Sequence, residues 1–370
     1  MDTKSECWCC KIKNNHTKLT PFKCKCIKFK PSSSSSSDVG ALHTSRDDEL
    51  GAEMELRPPP SPMKSLSSSA SDTGLRKRAL LCGVSYKNWK HRLHGTVNDV
   101  LNMQDLLINH FSYLKQNIRI LTEDEANPER IPTKKNIQSS LKWLVEDCYG
   151  GESLVFYFSG HGLRQPDFAM DELDGYDETI CPVDFLEEGM ISDNEINATI
   201  VSPLRSGVNL HAIVDACHSG TILDLAYVYD RTRDEWIDNR PPSGASKATS
   251  GGLAISLSAC GDDQFAADTS ILTGKSMNGA MTFILIDLIK TYGNVTYGHL
   301  LDCMHNAVEK ANKRGCIAFP FFRRLFGYKQ IQVTLLLSTL HFLLYLFPSN
   351  SILTSNFEHV NKINSPTKLY

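Results

Sequence analysis

Ser153-Leu-Val-Phe-Tyr-Phe-Ser159-Gly160-His161-Gly162 and, further along, Leu210-His211-Ala-Ile-Val-Asp215-Ala-Cys217-His218-Ser219-Gly220 decide the fold. Each is an apolar run of strand length that breaks off into a polar, glycine-containing turn. Runs without polar alternation suit strands buried on both faces. The same pattern recurs at Ala79–Val84, Asn117–Leu121 and Leu253–Ala259. Helical patterns separate these runs. Asn98–Phe111 sets Val100, Met103, Leu107 and Phe111 on one face, and a second pattern from Thr133 carries Ile137, Leu141, Leu144 and Val145. A third opens with the capping-box spacing Ser192-x-x-Glu195, and two more fall at Met277–Thr291 and Thr296–Asn312. Strand-helix alternation implies right-handed crossovers, hence an α/β fold with a mainly parallel central sheet and helices on both faces. In such sheets, sites form beyond the carboxyl ends of strands where the winding direction changes.

Composition narrows the class. With 370 residues, 41% apolar and 22% charged, the chain is neither wholly disordered, collagen-like nor a polytopic membrane protein. A net charge of −3 gives no ground for nucleic-acid binding by the whole molecule. No apolar core ahead of a small-residue cleavage site opens the chain, so a reducing compartment, cytoplasm or nucleus, is expected. Val333–Phe347 carries no charge, but its 15 residues fall short of the roughly 20 a spanning helix needs. A membrane partner is therefore not expected.

The twelve cysteines are unevenly placed: Cys7, Cys9, Cys10, Cys24 and Cys26 lie within the first 26 residues, among eight lysines that span 1–30. That is a local metal-type cluster, not a secreted disulfide framework. Residues 31–75 collapse into Ser/Pro-rich sequence that buries too little apolar surface to order itself, and read as a flexible linker. Cys82, Cys148, Cys181, Cys260, Cys303 and Cys316 read as small core hydrophobes, and His94, His110, His211 and His305 as satisfied polar residues.

His161 and Cys217 differ, because each ends an apolar run in a glycine turn. If the two strands are neighbours, an imidazole and a thiol meet at one sheet edge. That is the minimum for a cysteine nucleophile with a base to form its thiolate. Backbone N–H groups around Gly162 and Cys217 are placed to hold a developing oxyanion.

Taken together, YFSGHG, DACHSG, the intervening DELDGYDETICPVDF and SDNEI, and the flanking RALLCGVSYK, LTEDEANPERIPTKKNI and TYGHLL resemble plant type I metacaspases. These are caspase-like cysteine peptidases, and the likeness runs from about Lys77 to about Asn312. It implies a caspase-like three-layer sandwich, with a disordered or zinc-finger-like N-terminal arm. Residues 1–30 would be the Cys-rich prodomain and 76–228 the large-subunit region. An inter-subunit loop at 229–252, a small-subunit region at 253–337 and an atypical tail at 338–370 would follow. The resemblance implies Cys217 as nucleophile, His161 as general base, and cleavage of protein substrates after Arg or Lys. It matches Asp99, Ser159 and Asp215 to the pocket for that basic side chain; two carboxylates there favour a cation and repel an acid. Asp99 by itself also fits plain charge compensation at a helix N-terminus. Thr96 stands where the family has cysteine.

Other implied features rest on fewer residues. Calcium activation would use Asp177, Asp193, Asn194 and Asp224, whereas the acidic run alone also fits a solvated loop. Zinc in the prodomain would use Cys7, Cys10, Cys24 and Cys26, with Cys9 and His16 as substitutes, against an arm whose thiols do nothing. Arg231, Arg233, Arg240 and Lys247 are candidate self-cleavage sites in a loop that composition alone reads as surface. After Arg314 the family's final strand segment is missing, so either the sheet loses an edge strand or Gln330–Leu337 stands in for it. Regulated proteolysis or programmed cell death would be the role. The competing class is a catalytically impaired interaction protein that binds partners through the Cys-rich arm.

Overall fold

The computed structural model describes residues 76–230, 233–241, 243–259, 268–269, 278–293, 296–313 and 335–338. The chain divides into Met1–Ser69 and Ala70–Tyr370, and the described residues all fall in the second unit. The zinc cysteines, the linker, Arg231, Cys260 and Cys316 lie outside the described residues.

In chain order the elements are β1 (Lys77–Gly83), α1 (Thr96–Asn109), β2 (Ile118–Thr122), α2 (Lys134–Val145), β3 (Ser153–Ser159), β4 (Gly162–Pro166) and β5 (Tyr176–Ile180). Then come α3 (Phe185–Glu188), β6 (Ile191–Ser192), α4 (Asp193–Ile196), β7 (Asn209–Asp215), β8 (Tyr227–Asp230), β9 (Glu235–Asp238) and β10 (Leu253–Ser258). The chain continues through β11 (Asp268–Thr269), β12 (Asn278–Gly279), α5 (Ala280–Tyr292), α6 (Tyr297–Lys313) and β13 (Leu335–Ser338).

The main sheet runs β2-β1-β3-β7-β10-β13-β8-β9. Its first five strands are parallel, and the last three are antiparallel. Alternate residues on each parallel strand enter two separate cores, as a pleat requires. Ala79, Leu81, Val155, Tyr157, Ile213 and Ile255 pack with α1, α5 and α6. Leu80, Cys82, Leu154, Phe156, Phe158 and Leu210 pack with α2 and the segment through Ile196 and Ile200. That double burial explains why the strand sequences show no polar alternation.

Local signals hold too. Thr133 caps α2 by accepting the Asn136 N–H at 3.3 Å, and Ser192 caps α4 through the Glu195 N–H at 3.3 Å. Two expectations change. Leu335–Ser338 does supply a strand from the segment after Arg314, but it lies between β10 and β8 instead of at an edge. The loop at 229–252 opens with the β8–β9 hairpin, in which Tyr229 faces Trp236, so its first part belongs to the sheet. Among the described residues no helix is long and apolar enough to cross a membrane.

Candidate active site

The β3–β7 register sets Ser159 opposite Asp215, so both chains leave the sheet at one carboxyl edge and carry His161 and Cys217 there. The two turns abut. Gly160 N–H donates to the Asp215 carbonyl at 3.3 Å, and a Cβ on Gly162 would run into the Cys217 carbonyl. Glycine at 162 is thus a packing requirement that lets the nucleophile's turn approach. Cys217 is half-buried and takes part in no disulfide. The amides of Gly162 and Cys217, expected to form the oxyanion site, belong to these two touching segments.

His161 is held from several sides. Its Nε2 lies 2.7 Å from the His91 carbonyl. A carbonyl only accepts, so Nε2 carries the hydrogen and Nδ1 carries the lone pair. The His161 N–H donates to the Tyr86 hydroxyl at 2.9 Å, and that hydroxyl donates to the Cys181 carbonyl at 2.6 Å. The Tyr86 ring lies over the imidazole at 4.6 Å and 33°, while Trp89 meets it edge-on at 5.3 Å. Glu123 pins this support by accepting the backbone N–H groups of Ser85, of Tyr86 at 2.7 Å and of Lys87 at 3.0 Å. Tyr86 is thereby kept at φ 54°, a left-handed conformation uncommon for a bulky residue. Burial lowers the His161 pKa, with the His91 carbonyl opposing that shift. That direction favours the neutral ring that a base needs. Sequence reading missed Tyr86, Trp89, His91 and Glu123. Tyr86 sat in a quoted motif, whereas His91 acts through its backbone and leaves no side-chain signal.

The acidic pair forms beside this edge. Asp99, one turn into α1, accepts the Ser159 hydroxyl at 3.0 Å and the Gly279 N–H at 3.0 and 2.9 Å. Asp215 accepts the Thr282 N–H at 2.9 Å and its hydroxyl at 2.7 Å, and Tyr157 continues the chain to the Thr282 hydroxyl at 2.8 Å. A Cβ on Gly279 would collide with the Asp215 carboxylate and come 3.0 Å from Asp99, so Gly279 sits between the two. All three expected pocket residues are therefore together and buried. Gly279 and Thr282, from the start of α5, are additions the sequence did not signal.

A second acidic cluster lies around β5. One side-chain oxygen each from Asp167, Asp171 and Asp177 fall within 4.8 Å of one another. Asp177 Oδ1 is buried with no hydrogen-bond partner, although Gln165 donates to its other oxygen at 3.0 Å. Asp193 accepts the Glu178 and Asn194 N–H groups at 2.8 and 2.7 Å, and the Asn194 amide reaches Asp171 at 3.3 Å. Asp224, at φ 50°, is paired with Lys247. Burial raises the Asp177 carboxyl, with neighbouring Asp167, Asp171 and Asp224 adding to the shift. Asp193 is pushed up to about 8, first by burial. Burial and then the charge of Asp224 raise the Glu172 carboxyl, with the Lys247 ammonium opposing that shift. Such shifts mark buried negative charge short of a cation. An all-oxygen set with one orphaned buried oxygen fits a hard cation such as calcium. Of the four residues expected from the sequence, Asp177 belongs to this carboxylate group and Asn194 touches it through Asp171, whereas Asp193 and Asp224 are not among its three members.

Two side readings change. Cys303, expected in the core, is half-exposed with its sulfur 3.5 Å from His299 Nε2 one helical turn away. His211 bonds Tyr297 through Nδ1 at 2.9 Å, yet its buried Nε2 has no hydrogen-bond partner. Cys82 and Cys148 are buried, and burial raises both thiols, as inert structural cysteines require.

Residues 77–226 match the family model described as metacaspase, peptidase C14 domain. The chain is 51% identical over 244 residues to Metacaspase-1 of Arabidopsis thaliana, covering 65% of this chain and 66% of that one. It is 47% identical over 243 residues to Metacaspase-3 of the same plant, covering 65% and 67%. The chain belongs to the metacaspase family. Metacaspase-2 of Arabidopsis matches at 51% over 238 residues, with 64% and 57% covered. The match thus spans about two thirds of Metacaspase-1 and less of Metacaspase-2. In this metacaspase Asp99, Ser159, His161, Asp215 and Cys217 all fall within the 77–226 segment that the family model matches, while Gly279 and Thr282 lie beyond that segment.

Proposed function

We propose that this metacaspase is a calcium-stimulated cysteine endopeptidase that cuts protein chains after Arg or Lys. The observation that carries the reading is the single sheet edge where His161, Cys217 and the Asp99–Ser159–Asp215 pocket converge. His161 Nδ1 takes the Cys217 proton, and the thiolate attacks the scissile carbonyl carbon. The Gly162 and Cys217 amides hold the oxyanion. The imidazolium then protonates the leaving amine, and water hydrolyses the thioester. Asp99 and Asp215 receive the substrate's cationic side chain, with Ser159 orienting Asp99. Calcium, held by Asp177 with Asp193, Asn194 and Asp224, would supply neutralising charge at the β5 cluster. Self-processing at Arg231, Arg233, Arg240 or Lys247 and a role in regulated proteolysis or cell death are part of the same proposal.

The test is turnover of Arg-, Lys- and Asp-peptides by the full chain, with and without calcium, beside Cys217→Ala. Cleavage of Arg and Lys peptides alone, stimulated by calcium and abolished in the variant, is expected. A Cys217→Ala protein that still cleaves would overturn the mechanism. Absence of turnover at millimolar-range calcium would favour the interaction-protein reading.

A further inference from the structure

Among the candidate cleavage residues, Lys247 stands apart. The Arg233 and Arg240 side chains are 67% and 56% exposed, whereas that of Lys247 is 1% exposed. Its ammonium lies 3.0 Å from Glu172 and pairs with Asp224, two carboxylates that are themselves buried. Burying a lysine is costly unless opposite charge compensates it, and the compensation here comes from the cation cluster. Arg164 serves the other side of that cluster through Asp174 and Glu178.

The main chain around Lys247 is tied at its ends. Asn239 N–H bonds the Ala226 carbonyl at 2.8 Å, and Ser250 N–H bonds Ser202 at 3.1 Å. Between them the main-chain bond among the described residues is the Gly244–Pro241 turn at 3.1 Å. The Lys247 side chain is therefore a main anchor of this segment. Asp224 itself is fixed from behind: its N–H bonds Thr221 at 2.6 Å, and its carbonyl accepts the Asn197 amide at 2.9 Å.

We propose that Lys247 is the built-in counter-ion of the cluster, competing with calcium for Asp224, so that calcium ejects the lysine and loosens the 240–249 segment. The inference rests on the calcium reading above. A divalent cation that takes six to eight oxygens draws in carboxylates that a single ammonium holds only in part. The ammonium now faces Oδ1 of Asp224, one of the two oxygens that would ligate the cation.

The test uses full-length Cys217→Ala protein, so that no cleavage intervenes. Calcium titration by calorimetry should show Lys247→Met binding roughly tenfold more tightly than the parent, within the range typical of coupled sites. Lys247→Arg, which keeps the charge, should show no such gain. In the parent, an amine-reactive ester read by mass spectrometry should label Lys247 only when calcium is present, with magnesium as control. Unchanged or weaker calcium binding by a folded Lys247→Met overturns the switch and leaves the calcium reading standing. So does a Lys247 that stays protected at saturating calcium, and this readout decides the matter if the variant does not fold. If the parent binds no calcium, both readings fall together.

Discussion

Replacing Asp99 by Asn removes one charge from the acidic pair while keeping an oxygen for its donors. The Asp99 carboxylate is 1% exposed and accepts from Gly279 and Ser159 at 2.9–3.0 Å. An amide oxygen can keep those bonds, so the loss of folding stability should stay near ~1 kcal/mol. A bound guanidinium loses more. Removing one partner of a buried charge pair costs about 2–5 kcal/mol, and with Asp215 still present the lower part, about 2–3 kcal/mol, applies. At ~1.4 kcal/mol per decade, kcat/KM for an Arg-peptide should fall roughly 30- to 150-fold. The assay pairs that peptide with its citrulline counterpart, which has nearly the same shape and no charge. Asp99→Asn should narrow the Arg-to-citrulline ratio by that factor while leaving citrulline turnover nearly unchanged. Equal losses on both substrates would refute the reasoning, because Asp99 would then act on the catalytic edge as a whole.

Gly162→Ala drives a methyl group into the Cys217 carbonyl; near-complete loss of turnover is expected, and a variant with parental kcat/KM would show that the turns are not in contact. Tyr86→Phe leaves the His161 N–H and the Cys181 carbonyl without their shared hydroxyl, at about 1–3 kcal/mol. An order of magnitude or more should be lost from kcat/KM, with a moved acidic limb in the pH profile; an unmoved limb would make Tyr86 structural only. Burial pushes the Asp193 carboxyl up to about 8, well above the ordinary carboxylate range. Its protonated form favours the fold, so the contribution is full below the ordinary carboxylate range and lost as pH rises through about 8. Calcium-free Cys217→Ala protein should therefore melt lower at about pH 9 than at about pH 6, with calcium flattening the trend; a calcium-free melting temperature that rises over that interval would contradict it.

The parallel strands were legible because double burial forces continuous apolar runs, and observed ends fall within a residue or two of those runs. His161 and Cys217 were legible for a related reason: a reactive group must break such a run at its carboxyl end. What stayed hidden acts through groups that leave no residue-type signal. The His91 carbonyl and the Gly279 N–H are available from nearly any residue, so only the fold places them. Lys247 was read as part of a surface loop because lysine defaults to solvent, whereas its side chain is buried beside Glu172 and Asp224. Cys303 misled in the opposite direction. As a lone thiol it read as core, but the register of α6 turns it out beside His299.

The two acidic clusters differ in what balances them, and that difference bears on their roles. The partners described for Asp99 and Asp215 are hydroxyls and backbone amides from Ser159, Gly279 and Thr282. Those dipoles fix the carboxylates in place, and on the proposed reading the pair receives an incoming guanidinium or ammonium. Glu172 and Asp224 instead face a full positive charge on Lys247. A ligand there must displace a cation before it gains anything, so binding is weaker and the displacement is felt along the main chain from Asn239 to Ser250. Preorganised neutral donors suit a site that takes side chains from many substrates in turn. A resident counter-ion suits a site that responds to a change in cation concentration.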